Sequence, residues 1–156
     1  MTLPQFIEGE DKMTVQEMWK HYSQEEKITA EYDVWAFGDD PDALAALVLS
    51  GTKTATASGY PLYQLEGEEI PKAGQYSVIL NTREEAVCII RTERVFIVPF
   101  DQVDEKQAWK EGEGDRSLSH WRRLHESFFR RELTEAGLSF DEKMPVVCEE
   151  FVRVYP

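Results

Sequence analysis

The second half of this chain is a run of short β-branched and aromatic segments, set too close together for helical crossovers. YSVIL (76–80) follows the turn PKAGQ. NTREE then turns into AVCIIRT (86–92), and VFIVPF (95–100) follows after Glu93 and Arg94. PVVCEEFVRVY comes last. Parallel neighbours need a crossover of a dozen residues or more, so strands this near one another pair antiparallel. With YDVWAF (32–37), they predict five or six strands. The expected fold class is α+β: a small, mostly antiparallel β-barrel with helices packed outside it.

Helices are marked by their ends. Thr14 with Glu17 makes a capping box, Met13 and Met18 a hydrophobic staple, and the helix runs to about Lys27. Pro41 opens a second helix, DALAALVLS, which Gly51 stops. Ser117 caps a third, where Leu118, Trp121, Leu124, Phe128 and Leu133 recur at helical spacing up to Gly137. YPLYQLEGEE reads as a connection with one helical turn, AWKEGEGD (108–115) as a glycine-broken acidic loop, and residues 1–12 as a loose lead-in. No repeat or linker marks a second globular unit. The division expected is an N-terminal helical extension, 1–31, and one domain, 32–156.

Composition narrows the partners. Seventeen basic residues against 30 acidic ones give a net charge of −13. Long-range repulsion from nucleic acid follows, so a small ligand fits this charge better than a polyanion. Cys88 and Cys148 sit in strand-like runs without a CxxC and read as buried free thiols. His120 and His125 are five apart and His21 is remote, so the histidines form no metal motif, and no cofactor is expected. No signal peptide or membrane-length apolar run is seen, so a cytoplasmic protein is expected.

SGTKTATASG (50–59) is the segment with chemical content. It places Lys53 among small hydroxyl residues, with Thr56 three positions on. A threonine hydroxyl is a weak nucleophile until a base comes within hydrogen-bond reach, and a desolvated lysine held neutral can serve. Side chains alternate along a strand, so Lys53 and Thr56 converge only if Lys53 lies in the turn and the strand begins after it. The acid for such a pair is Glu111 or Glu113. The intervening Gly112 permits close backbone approach or exposes N–H groups. Arg116, His120, Arg123 and Arg130 fall near one helix face. That stripe is either charge balance or an edge for phosphates. Trp19, Trp35 and Trp121 read as core, while Trp109, in polar surroundings, offers a stacking face.

These segments together resemble the ASCH domain, a relative of the PUA RNA-binding fold. GTKTATAS is similar to its G-x-K-x-x-T signature, KAGQYSVIL to its glycine turn and strand, and CEEFVRVY to its last strand. EGEGDRSLSHWRRLH is similar to the insert of a larger subgroup. The resemblance spans about residues 33 to 155 and implies a PUA-like barrel with a cleft. It also implies one of three activities: hydrolysis of the amide of N4-acetylated cytidine, RNA binding, or ribonuclease action. In the amidohydrolase branch a lysine, a threonine and a glutamate form the site, matching Lys53, Thr56 and Glu111, with Glu113 second for the acid. Two departures stand out: the added N-terminal helix, and Ser58 where compact amidohydrolases carry arginine.

The expectation is therefore a hydrolase of a small acylated nucleoside. Lys53 activates Thr56, and Glu111 passes a proton to the leaving amine. Gly51, Thr54, Ser58, Trp109, Gly112, Glu113 and Arg116 are the expected substrate contacts. The alternatives are a non-catalytic module for single-stranded RNA or a nucleotide, and a metal-independent ribonuclease.

Overall fold

One strand of 14 residues, Ala86–Pro99 (β4), is the spine of the protein. In the computed structural model, which describes residues 12–156, it pairs antiparallel with both Tyr76–Leu80 (β3) and Pro145–Tyr155 (β5). The sequence reading split it into two strands at Glu93-Arg94. Thr92 instead pairs with Phe151 and Arg94 with Glu150, so Glu93 is the extra residue of a bulge inside one continuous strand. Tyr32–Ala36 (β1) adds parallel to β3, and Ala55–Gly59 (β2) adds antiparallel to β5. The sheet order is β1-β3-β4-β5-β2, curled into a half-barrel with β1 and β2 as its two edges. Five strands thus build the α+β, PUA-like fold, antiparallel except at β1–β3.

Alternation along the strands divides the cores. Ile79, Cys88, Ile90 and Phe151 point to the inner face, where Ala45 and Val48 of Pro41–Leu49 (α2) cover them with Phe37. Val78 and Ile89 point outward and take Met18 and Tyr22 of Val15–Glu26 (α1). The N-terminal helix therefore packs on the outer face, away from the α2 side. Most of the lead-in expected before it lies outside the described residues. A third cluster packs Trp121, Phe129 and Leu133 of Leu118–Glu135 (α5) on Val146 and Cys148. Both cysteines are free and buried.

The expected caps at Thr14 and Ser117 form, and Asp40, just ahead of Pro41, caps the second helix as well; each accepts a backbone N–H at its helix start. Two connections hold more helix than their composition indicated. Tyr60–Glu66 (α3) has seven residues. The supposed acidic loop is helical in its first half: Glu105–Glu111 (α4) is capped by Asp104 and ends at Gly112, φ 76°. Among the described residues no helix is long and apolar enough to cross a membrane.

Candidate active site

Lys53 lies in the turn between helix and strand, as its convergence with Thr56 requires. Gly51, at φ 80°, ends α2, and β2 begins only at Ala55. The backbone N–H groups of Thr52 and Lys53 both donate to Leu47 O, which wraps the chain over the helix end. The lysine side chain then turns inward. Lys53 is 2% exposed, and its Nζ lies 5.2 Å from the centre of the Phe37 ring.

Its counter-charge comes from the end of α4. Glu111 is 1% exposed, and its Oε1 is 3.5 Å from Lys53 Nζ. His125 of α5 points Nε2 at the same oxygen, 3.2 Å away. The second carboxylate oxygen accepts from Trp121 Nε1 at 2.5 Å and from Gln107 Nε2 at 3.1 Å. Burial pushes the Glu111 carboxyl up. His125 and Lys53, with the hydrogen bonds of His125 and Trp121, outweigh it and hold the group down at about 2. Gln107 also donates to Thr56 O at 3.2 Å, tying α4 to the nucleophile candidate's own strand.

His125 has its tautomer fixed. Nδ1 is 2.9 Å from Trp121 O, an acceptor only, so Nδ1 carries a proton. Nε2 faces two carboxylates, Glu111 at 3.2 Å and Glu113 at 4.0 Å, and is attracted to them only when it too is protonated. Burial pulls the imidazole down, and Glu111 and then Glu113 outweigh it, so the net shift is upward. Glu113 moves up as well: burial raises it, Lys53 lowers it and Glu111 raises it again.

These side chains share one cleft of about 50 Å³, lined by Lys53, Thr56, Glu111, Glu113 and His125, with Phe37, Gly38 and Phe128 among its other walls. The volume has room for a few waters or a short acyl group. Among the described residues no hydrogen bond joins Lys53 to Thr56. Ligand atoms of Glu111, Glu113 and His125 lie within 4.8 Å of one another. That spacing suits a metal, but the donors are spoken for. Glu111 already takes Lys53, His125, Trp121 and Gln107 on its two oxygens, and an added cation would face the ammonium of Lys53.

Four of the residues singled out from sequence are thus brought together: Lys53, Thr56, Glu111 and Glu113. The others stand apart from the cleft walls. Gly51 serves the helix end, and Thr54 donates its N–H to Lys110 O. Ser58 shares a 2.8 Å hydrogen bond with Tyr63. Gly112 is buried against Thr52. Arg116 stacks its guanidinium 3.7 Å above the Trp109 ring and donates to the carbonyls of Trp109 and Thr52. Both belong to a separate groove of about 460 Å³ with Lys106 and Lys110. The arginine stripe is also engaged by the protein itself: Arg130 pairs with Glu126, and Arg123 bonds Ser119. Arg122 binds three carbonyls at residues 100, 101 and 103. His125, Trp121, Gln107 and Phe37 escaped the sequence reading. The i, i+4 spacing of Trp121 and His125 was the available signal.

The curled, mixed five-stranded sheet with its surrounding helices is a PUA-like α+β fold, and Lys53 precedes one of its edge strands. The ASCH domain model matches residues 33–155, and the chain belongs to the ASCH domain family. It is similar to the ASCH domain from Lactobacillus crispatus JV V101, at 35% identity over 90% of this chain and 94% of that one, with a TM-score of 0.82. It is also similar to a protein of Enterococcus faecalis V583, at 38% identity over 90% and 88% of the two chains, with a TM-score of 0.84. No curated protein matches the chain.

Proposed function

We propose that this ASCH-domain protein is an amidohydrolase of a small modified nucleoside, such as an N4-acylated cytidine, with Lys53, Thr56 and Glu111 at its centre. One observation carries the reading. A lysine 2% exposed is ion-paired with a buried glutamate in a cleft that a threonine also lines. A buried ion pair is a weak source of stability, so one placed beside a nucleophile candidate favours a chemical role.

The geometry refines the roles. Lys53, ion-paired with Glu111, is an ammonium aimed at the cleft, suited to stabilising negative charge on an acyl oxygen. Glu111, held at about 2, fixes that ammonium and exchanges no proton near neutrality. Thr56 supplies the attacking oxygen. Glu113, on the cleft wall and shifted upward, is the acid placed to meet a leaving amine. The small cavity takes the acyl group while the nucleoside lies across its mouth.

A second reading, binding of single-stranded RNA or a nucleotide, draws on the groove where Lys106, Lys110 and Arg116 surround Trp109. The net charge of −13 works against it. The deciding experiment is a turnover screen of purified protein on N4-acylated cytidines, beside single-stranded RNA without metal, with Thr56→Ala as control. Release of cytidine by the wild type and not by the variant is expected. Equal release by both would end the mechanism. RNA binding that weakens steeply with salt, without turnover, would favour the second reading.

A further inference from the structure

Thr56 has another acidic neighbour, on the strand beside it. In the β2–β5 ladder it lies directly opposite Glu149. Opposed residues share a face, with Cβ atoms about 5 Å apart. That face is the inner one, because Phe151, two residues along β5, packs in the inner cluster. Glu149 is 6% exposed. Among the described residues it enters no ion pair, whereas Arg94 and Lys110 go to Glu150 on the other face.

The groups that face Glu149 are acidic or neutral. Asp33 of β1 acts on it across the concavity, and the Thr92 hydroxyl of β4 stands beside it. Tyr63 of α3, bonded to Ser58, lies within its field. Burial and then Asp33 push the Glu149 carboxyl up to about 7, against the pull of Thr92. Such a group takes and returns a proton at neutral pH. Glu111, saturated by donors, does not.

The geometry points to Glu149 as a further catalytic residue, the base that takes the hydroxyl proton of Thr56. This rests on the hydrolase reading of the cleft. The Thr56 oxygen forms a bond to the acyl carbon, its proton passes to the Glu149 carboxylate, and the carbonyl electron pair moves onto oxygen beside Lys53. That pair then returns and the C–N bond breaks. Its electrons go to nitrogen, which is protonated by Glu113 or by Glu149. Water attacks the acyl-threonine in the same way, giving its proton to a carboxylate, and the ester oxygen leaves as the Thr56 hydroxyl. No hydrogen bond joins Thr56 to Glu149 among the described residues, so a rotamer change of either side chain is needed to close the gap.

The test labels Thr56 directly with p-nitrophenyl acetate and reads acylation by mass spectrometry across pH, in wild type, Glu149→Gln and Glu149→Asp. The expected wild-type rate rises to a plateau with a midpoint near 7. Glu149→Gln is expected to slow labelling on the order of 100-fold and abolish that midpoint, and Glu149→Asp to restore part of it. Labelling that ignores Glu149, or no label on Thr56, would overturn the proposal. Should Glu149→Gln not fold, the wild-type profile decides: a rate that simply tracks hydroxide concentration sinks the idea. Labelling that depends on Glu149 without turnover of any acylated nucleoside would uphold Glu149 and remove the substrate. Turnover with labelling indifferent to Glu149 would do the reverse.

Discussion

Lys53 Nζ and Glu111 Oε1 stand 3.5 Å apart with both side chains 1% exposed, so each charge depends on the other for its solvation. Removing one partner of a buried pair leaves the other uncompensated, at about 3 kcal/mol or more. The two removals are not equivalent. Lys53→Met leaves Glu111 with His125, Trp121 and Gln107. Glu111→Gln leaves Lys53 and His125 to share Glu113 alone, 4.0 Å from His125 Nε2. Urea unfolding is expected to rank wild type above Lys53→Met, and Lys53→Met above Glu111→Gln, at unchanged m. The opposite order for the two variants would show that Lys53, not Glu111, holds the cluster together.

His125 gives the site a pH dependence with a defined sign. Burial works against the imidazolium, but Glu111 outweighs it, and the folded value lies above the ordinary one. A raised histidine contributes stability that is complete below its unfolded value of about 6.5 and is lost as pH rises through the folded value. An NMR titration of the ring is expected to give a midpoint above that of a free histidine. Glu111→Gln should bring the midpoint down. A ring that titrates below the free value would mean that burial wins and that Nε2 is not protonated against Glu111.

Two glycines at nearly the same φ separate backbone strain from steric contact. Gly51 has φ 80° with nothing within 4 Å of an added Cβ. Gly112 has φ 76°, and its Cβ would meet Thr52 O at 2.7 Å. Gly51→Ala should cost only the left-handed penalty, roughly 1–2 kcal/mol. Gly112→Ala adds displacement of the chain segment that carries Lys53, and should cost clearly more in the same unfolding assay. Equal losses would mean that the Thr52–Gly112 approach has slack and does not set the position of Lys53.

Much of this architecture was legible because it is written locally. The helix starts at Thr14, Pro41 and Ser117 are decided within four residues, and so is the turn at Gly51 that points Lys53 inward. The exceptions are long-range. The strand across Glu93-Arg94 continues because β5 pairs with it on both sides of the bulge, and nothing in those two residues announces that. Helix α4 was hidden by its glycines. Gly112 ends it, while Asp104, the residue that starts it, is a single aspartate in an acidic chain. His125 carries no metal spacing, and its role depends on Glu111 arriving from another helix. Glu149 reads as one more acid in CEEF until the ladder sets it against Thr56.

The cleft mouth offers a last test. Gly38 has an ordinary φ, but an added Cβ would lie 2.5 Å from Cζ of Phe128. Both residues line the cleft. The obstacle is the far end of a side chain that can swing, so Gly38→Ala is expected to move the ring and leave the fold in place, with stability changed by less than about 1 kcal/mol. The consequence falls on access. If Phe128 is driven over the cleft, labelling of Thr56 by a small ester slows several-fold. If it swings outward, labelling quickens and larger acyl groups are admitted. Phe128→Ala, which removes the ring, should match the second outcome at some cost in stability from lost packing of α5 on the core. Unchanged labelling in both variants would show that ligands reach Thr56 by another route, along the inner face past Glu149.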